Sequence, residues 1–261
     1  MSVYTELFSY RELFANLFRR DLQKRYKGSA LGVLWVLLPP LILLGIYLLV
    51  FHVLWRASQV PNYSLYLLAG LSSWVFFATT LQMGSRAMLD NAELIRKTRF
   101  PRQLVAFSVV GANVVTYAVM LAILLIACFI FVPESRDTAL LALPLAALFV
   151  CFVAGVTLTI ACLDVLFRDV EHLIGALLLP WFFVTPVFWD WSLFTRHHTI
   201  VEILRYGNPV SPAVSAIRDP LWAGSAPRSV DVIYLVCAAG VALALGAFTF
   251  KHFDDRIAVE L

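Results

Sequence analysis

Charge is the scarcest ingredient of this 261-residue chain: Asp, Glu, Lys and Arg make up 14% of it, against roughly 25% in an ordinary soluble domain. With 61% of its residues hydrophobic, the chain lacks the polar surface to cover a globule of this length. A soluble globular fold is therefore excluded, and lipid is the expected solvent. The 20 basic and 17 acidic groups nearly cancel, to a net +3, too little to argue for nucleic acid as a partner. Cysteine is sparse as well. Cys128, Cys151, Cys162 and Cys237 lie in long apolar stretches without CxxC or His/Cys spacing, which argues against disulfides and metal and reads each as a small buried hydrophobe. The opening MSVYTELFSYRELF has acidic residues and no apolar core after a basic start, so it is not read as a cleavable signal peptide.

Nucleotide and catalytic motifs are missing too. None of the four lysines, Lys24, Lys27, Lys97 and Lys251, follows a glycine, so there is no phosphate-binding P-loop, and ATP can drive this protein only from another chain. No GxSxG or HExxH occurs, and no pair of loop carboxylates facing one pocket can be argued, so no enzyme is expected. Asp164, Asp169 and Glu171 in LDVLFRDVEH read as a salt-bridged boundary loop containing Arg168.

What is present is long uncharged sequence. Six windows without Asp, Glu, Lys or Arg run over 28–55, 57–85, 103–133, 138–163, 173–189 and 232–250, each near the ~20 apolar residues a helix needs to cross a bilayer. Their lack of ionisable groups argues against coupling to protons or ions; His52, near the end of the first, reads as an interface residue. The expected fold is an all-α integral membrane domain over 1–261, with spans at about 31–55, 63–84, 104–132, 139–162, 173–189 and 231–250. The fifth is the shortest, at 17 residues, and holds Pro180 and Pro186, which predicts a kinked or broken helix. Segments 1–33, 84–103, 163–172 and 251–261 carry 14 of the 20 basic residues. By the retention of basic residues on the cytoplasmic side, both termini are expected to be cytoplasmic and the 190–229 loop extracytoplasmic.

Two charged segments stand out. In 1–27, Leu7, Tyr10, Phe14, Leu17, Phe18, Leu22 and Tyr26 recur at helical spacing, with Arg11, Arg19, Arg20, Lys24, Arg25 and Lys27 largely on the other side. This predicts an amphipathic helix lying on the membrane, with Arg19, Arg20, Lys24 and Arg25 at anionic headgroups; packing on a small cytoplasmic cap is the alternative. The 85–103 segment is the densest charge cluster, and Glu93 and Lys97 are spaced for a helical ion pair. Leu89, Leu94, Ile95 and Phe100 are apolar in a stretch that should be wet, as in a short helix docking on a partner; a solvated loop is the alternative.

The run RRDLQKRYKGSALGVLWVLLPPLILLGIYLLVF (19–51) resembles the start of the membrane subunit of type-2 ATP-binding-cassette exporters of polysaccharides and polyol phosphates, the O-antigen, capsule and teichoic-acid group. YLLAGLSSWVFF (66–77), NAELIRKTRFPRQL (91–104), FRDVEHLIGALLLPWFFVTPVFW (167–189), NPVSPAVSAIRDPLW (208–222) and FTFKHFDDRIAVEL (248–261) follow in the family's order, across nearly the whole chain. Thr185 and PVFW depart from the family's usual serine and tyrosine around that proline. The resemblance implies a homodimeric permease of six helices per chain, paired with two copies of a separate ATPase that binds ATP and Mg. Its substrate would be a lipid-linked glycan, moved across the cytoplasmic (inner) membrane. It also implies that the helix within 86–102 is the coupling element seated in the ATPase, through Asp90, Glu93, Arg96, Lys97, Arg99 and Arg102, and that short re-entrant helices follow the fifth span.

A sliding polymer of sugars needs a lining that supports flat C–H faces without fixing one register, and aromatic rings supply it. Tyr47, Phe51 and Trp55 form one stripe at i, i+4 and i+8. Phe76, Phe77, Trp181, Phe182, Phe188 and Trp189 are the other candidate lining residues, beside interfacial-belt and lipid-compatible readings of the same rings. Export of small drugs or lipids, or a membrane scaffold without a pore, are the alternative functions.

Overall fold

A computed structural model describes residues 10–26, 38, 41–42, 45–46, 49, 62–98, 100–191 and 198–260. Among these every regular element is helical: α1 (Arg11–Tyr26), α2 (Tyr63–Ser85), α3 (Ala92–Lys97), α4 (Gln103–Phe131), α5 (Ala142–Leu166), α6 (Val170–Val184), α7 (His198–Gly207), α8 (Val210–Trp222) and α9 (Ser229–Glu260). Short 3-10 turns, Leu89–Asn91, Pro133–Ser135 and Ala139–Leu141, lead into α3, the α4–α5 bend and α5. Four helical stretches are long and apolar enough to cross a membrane: Tyr63–Ser85, Gln103–Phe131, Ala139–Leu166 and Ser229–Asp254. They answer the second, third, fourth and sixth expected spans, while the first lies outside the described residues apart from isolated positions.

The fifth expected span is displaced. α6 begins at Val170, three residues early, and stops at Val184 after 15 residues. The cause is Pro186, because the residue before a proline is pushed out of the helical region; Thr185 is extended, at φ −88° and ψ 136°. α9 errs the other way. It runs 32 residues without a break, about 48 Å at 1.5 Å per residue, because nothing between Phe250 and Glu260 is a glycine or proline to end it.

Packing follows small residues and rings. α5 and α9 touch backbone to backbone: a Cβ on Gly155 would stand 2.3 Å from the Ala242 carbonyl carbon, and one on Gly246 would stand 2.8 Å from the Gly155 oxygen. Such close approach is how helices associate where lipid removes the hydrophobic drive. One core cluster joins α2, α4, α5 and α8 through Phe76, Phe77, Tyr117, Phe149 and Ile217. A second, near α3, gathers Leu17, Met88, Ile95, Leu104, Leu158, Cys162, Phe250 and Ile257.

This second cluster corrects the premise behind the surface-lying α1. The sequence offered that helix no protein surface, yet Leu17 is buried with Leu104 and Val105 of α4, the Phe18 ring lies 3.2 Å from where a Gly111 Cβ would be, and Ser108 Oγ donates to Asp21 Oδ2 at 2.7 Å. Arg19 is exposed, Arg20 pairs with Asp21 at 3.0 Å, and the Lys24 and Arg25 side chains lie outside the described residues. The cysteines are all free; Cys128 and Cys162 are buried, whereas Cys151 and Cys237 are exposed, so the buried reading holds for two of the four.

Candidate functional site

Charged and aromatic side chains converge at two places, one at each end of α6. The first is where α6 breaks. The 185–190 segment leaves carbonyls without helical partners, and at membrane depth irregular backbone persists only where protein satisfies it. Three side chains do so. Arg218 Nη1 of α8 donates to Pro186 O at 2.7 Å, and from α2 the Tyr63 hydroxyl donates to Phe188 O at 2.8 Å and the Tyr66 hydroxyl to Trp189 O at 2.7 Å. Gly70 lets the segment lie flush on α2, since a Cβ there would meet Val187 O at 2.8 Å. Asn208 closes the arrangement: its Nδ2 donates to Thr185 Oγ1 at 2.9 Å, while its Oδ1 accepts from Trp181 Nε1 at 2.8 Å and from the Val210 backbone N–H at 3.1 Å. Asn208 thereby links the end of α6 to the start of α8.

The clamp carries buried charge. Arg218 is 2% exposed, its guanidinium sits 3.9 Å from the Tyr66 ring centre, and Nη2 is 4.0 Å from Asp190 Oδ2. Its Nε has no hydrogen-bond partner among the described residues. Arg205 at the end of α7 binds Asp231 at the start of α9 through both carboxylate oxygens, with the Nε–Oδ1 distance 3.3 Å, and Asp231 is wholly buried. Burying either charge alone is costly, so each needs the other in place. Asp219, beside Arg218, has its carboxyl pushed above the usual range by burial, with Arg218 acting in the opposite direction. The signal for Arg218 in the sequence is its place at the end of the uncharged run NPVSPAVSAI.

The second place is the 86–102 segment, where the mixture of residue types resolves differently from the expectation. Ile95 is buried in the protein's own second core, and Leu89, Leu94 and Phe100 pack against it partly buried. Asp90, Glu93, Arg96 and Lys97 are exposed, and Glu93 and Lys97 pair at 3.2 Å as their spacing predicts. Arg99 lies outside the described residues. The ends of the segment are tied down: Arg86 Nη1 reaches Glu171 Oε1 at 3.1 Å and Arg86 Nε lies 3.8 Å from Asp90 Oδ1, while Arg102 Nη1 bonds Asp254 Oδ1 at 2.8 Å. Glu171 thus pairs with Arg86 and not with Arg168, and its backbone N–H donates to the buried Asp164 Oδ1 at 2.8 Å.

The structure separates the candidate lining rings. Phe76 stacks on Tyr117 at 4.7 Å, and Phe77 meets Trp181 edge-on at 5.1 Å and packs on Phe149 and Phe152. Both are enclosed by their own chain, at 3% and 0% exposure, and Phe182 is at 7%, so these rings have little face to offer a passing molecule. Trp181, Phe188 and Trp189 are half-buried around the break. Phe188 lies 5.6 Å from Phe182 and 5.8 Å from Phe183, and Trp189 is edge-on to Trp191 at 4.8 Å. Tyr47, Phe51 and Trp55 fall outside the described residues.

The 185–190 and 86–102 segments both lie within residues 12–222, the stretch that matches the ABC-2 type transporter family. Over 256 residues the chain is 34% identical to the O-antigen export system permease protein RfbA of Myxococcus xanthus, covering 98% of each chain. Two proteins of the same name from Klebsiella pneumoniae are 27% and 29% identical over 249 residues, which is 95% of this chain and 94% of theirs.

Proposed function

Since the chain belongs to the ABC-2 type transporter family, we propose that it is the permease of an ATP-driven exporter that moves a lipid-linked polysaccharide, of O-antigen, capsular or teichoic type, across the cytoplasmic membrane. The observation that carries this reading is end-to-end similarity to permeases named for O-antigen export. In the proposed assembly, two copies of the chain pair with two separate ATPase subunits, which hold ATP and Mg, and both termini face the cytoplasm. The 86–102 segment seats in the ATPase, with Asp90, Glu93, Arg96, Lys97, Arg99 and Arg102 as the candidate contacts. Arg19, Arg20, Lys24 and Arg25 lie toward anionic headgroups.

Mechanistically, the half-buried rings at the α6 break, Trp181, Phe188 and Trp189, join Tyr47, Phe51 and Trp55 along the path. The enclosed Phe76, Phe77 and Phe182 back that wall. Rings support sugars by burying apolar area, which tolerates sliding because it is non-directional. The irregular 185–190 backbone would close the outer end when no substrate occupies it. The test is reconstitution of the permease with its ATPase in vesicles loaded with lipid-linked glycan. ATP should drive glycan to the far leaflet, and ATP turnover stimulated by small hydrophobic compounds but not by glycan would overturn the reading.

A further inference from the structure

Both α2 and α6 reach both assemblies, α2 through Tyr63, Tyr66 and its C-terminal neighbour Arg86, and α6 is the more loosely held. Of its 15 residues only Phe182 is buried, against 16 of 23 in α2 and 15 of 25 in α5. At one end Glu171 meets Arg86, and at the other Thr185 to Asp190 sits in the Arg218, Tyr63 and Tyr66 clamp. Its 15 residues span about 22 Å, with Pro180 inside the helix.

We propose that the Arg86–Glu171 ion pair is the point at which displacement of the 86–102 segment enters α6, and that α6 carries it to the clamp. This rests on the proposed ATP-driven function, because an ATPase must supply the displacement. The two ends of the segment differ in what they hold. Arg102 is tied to Asp254 of α9, and α9 lies backbone to backbone on α5 through Gly155 and Gly246, so that end is an anchor. Arg86 shares its guanidinium between Asp90 of the segment and Glu171 of α6, and motion passes into a helix in which one residue of 15 is buried. The Glu171 backbone N–H on Asp164 Oδ1 keeps the start of α6 registered on α5, which makes it a pivot. Arg86 and Glu171 are positioning residues. Arg86 is 56% exposed and Glu171 26%, and a pair so exposed contributes little to folding, so breaking it should leave the protein intact.

The experiment uses the permease–ATPase complex in vesicles, with Cys151 and Cys237 replaced and a spin-label pair reporting the exposed Val184 of α6 against α8. In the parent complex, nucleotide should change that distance. Arg86→Glu and Glu171→Arg should each abolish the change and lower export on the order of tenfold, the effect of ~1.4 kcal/mol, while the ATPase stays bound. The double swap should restore both readouts, and Glu171→Gln, which cannot introduce a new repulsion, should fall between. Single variants that move and export normally would overturn the relay. So would a swap no better than its parents, or a parent in which α6 stays still while glycan crosses. Nucleotide-driven movement that depends on the pair, in a complex that transfers no glycan, would keep the relay and refute the polysaccharide reading.

Discussion

The α8 end and the α3 end of this protein use the same residue types in opposite ways. At the α8 end, Arg218 is 2% exposed and Asp231 0%, and their hydrogen bonds run to the irregular 185–190 backbone and to Arg205 of α7. At the α3 end, Glu93 and Lys97 are 90% and 75% exposed and four residues apart on one helix. A buried charge that loses its partner is left in a low-dielectric site, whereas an exposed one is simply rehydrated. Charge at the α8 end therefore fixes an irregular backbone in place. At the α3 end it stays free to be paired anew by another protein.

The strongest way to break this contrast is Arg205→Ala, which leaves Asp231 buried without a counter-charge and should cost about 3–5 kcal/mol. Thermal unfolding in detergent should register it as a large fall in midpoint or a loss of folded yield. Replacing both partners, as Arg205→Met with Asp231→Leu, should recover most of the loss, because an apolar pair needs no desolvation. A single variant as stable as the parent would place this pair in the surface class.

Next in size is Arg218→Leu, which strands the Pro186 carbonyl and should cost about 1–3 kcal/mol. Its specific signature should lie at the 185–190 segment: faster hydrogen exchange there, with α5 and α9 unchanged. Uniform loosening of all helices would mean that Arg218 serves the core and not the clamp.

How much of this was legible in the sequence divides along the same line. Four spans and the α6 break could be read because lack of charge, length and Pro186 are local signals, and Glu93 with Lys97 obeys a local spacing rule. Arg205 with Asp231, and Arg86 with Glu171, are distant in sequence, and no periodicity announces a pairing made by tertiary packing. Phe76 and Phe77 could not be placed either. α2 is apolar on every side, so its sequence shows no face that distinguishes lipid, protein core and path. For α1 the amphipathic pattern was right, but such a stripe fits a membrane surface and the flank of α4 equally well.

A smaller effect should follow from Asp219, which lies outside the four spanning helices. Burial raises its folded pKa above the unfolded ~3.9, so the folded state holds the proton more tightly. Stability from this group is greatest below the unfolded value, falls as pH rises between the two values, and stays reduced above the folded one. Asp219→Asn removes the penalty and should raise the unfolding midpoint at neutral pH, with the gain vanishing toward about pH 4. A variant that loses stability at neutral pH would show that Arg218 draws net benefit from the carboxylate.

The smallest stability effect is expected where the functional effect should be largest. Reversing Arg96 and Lys97 to Glu breaks one exposed i, i+4 pair worth ~0.3–0.5 kcal/mol, and both side chains point away from Ile95, the residue that docks α3 on the core. The unfolding midpoint of the isolated permease should barely move. The same reversal changes the sign of the surface proposed to seat in the ATPase, where like charges brought together oppose docking. Binding of the ATPase, titrated at low and high salt, should therefore weaken in the variant and regain part of its strength as salt is added, because salt screens exposed charges. A permease destabilised to the extent of Arg205→Ala would put these charges in the same class as those at the α8 end and dissolve the contrast. Normal ATPase binding and normal export would remove the 86–102 segment from the coupling role.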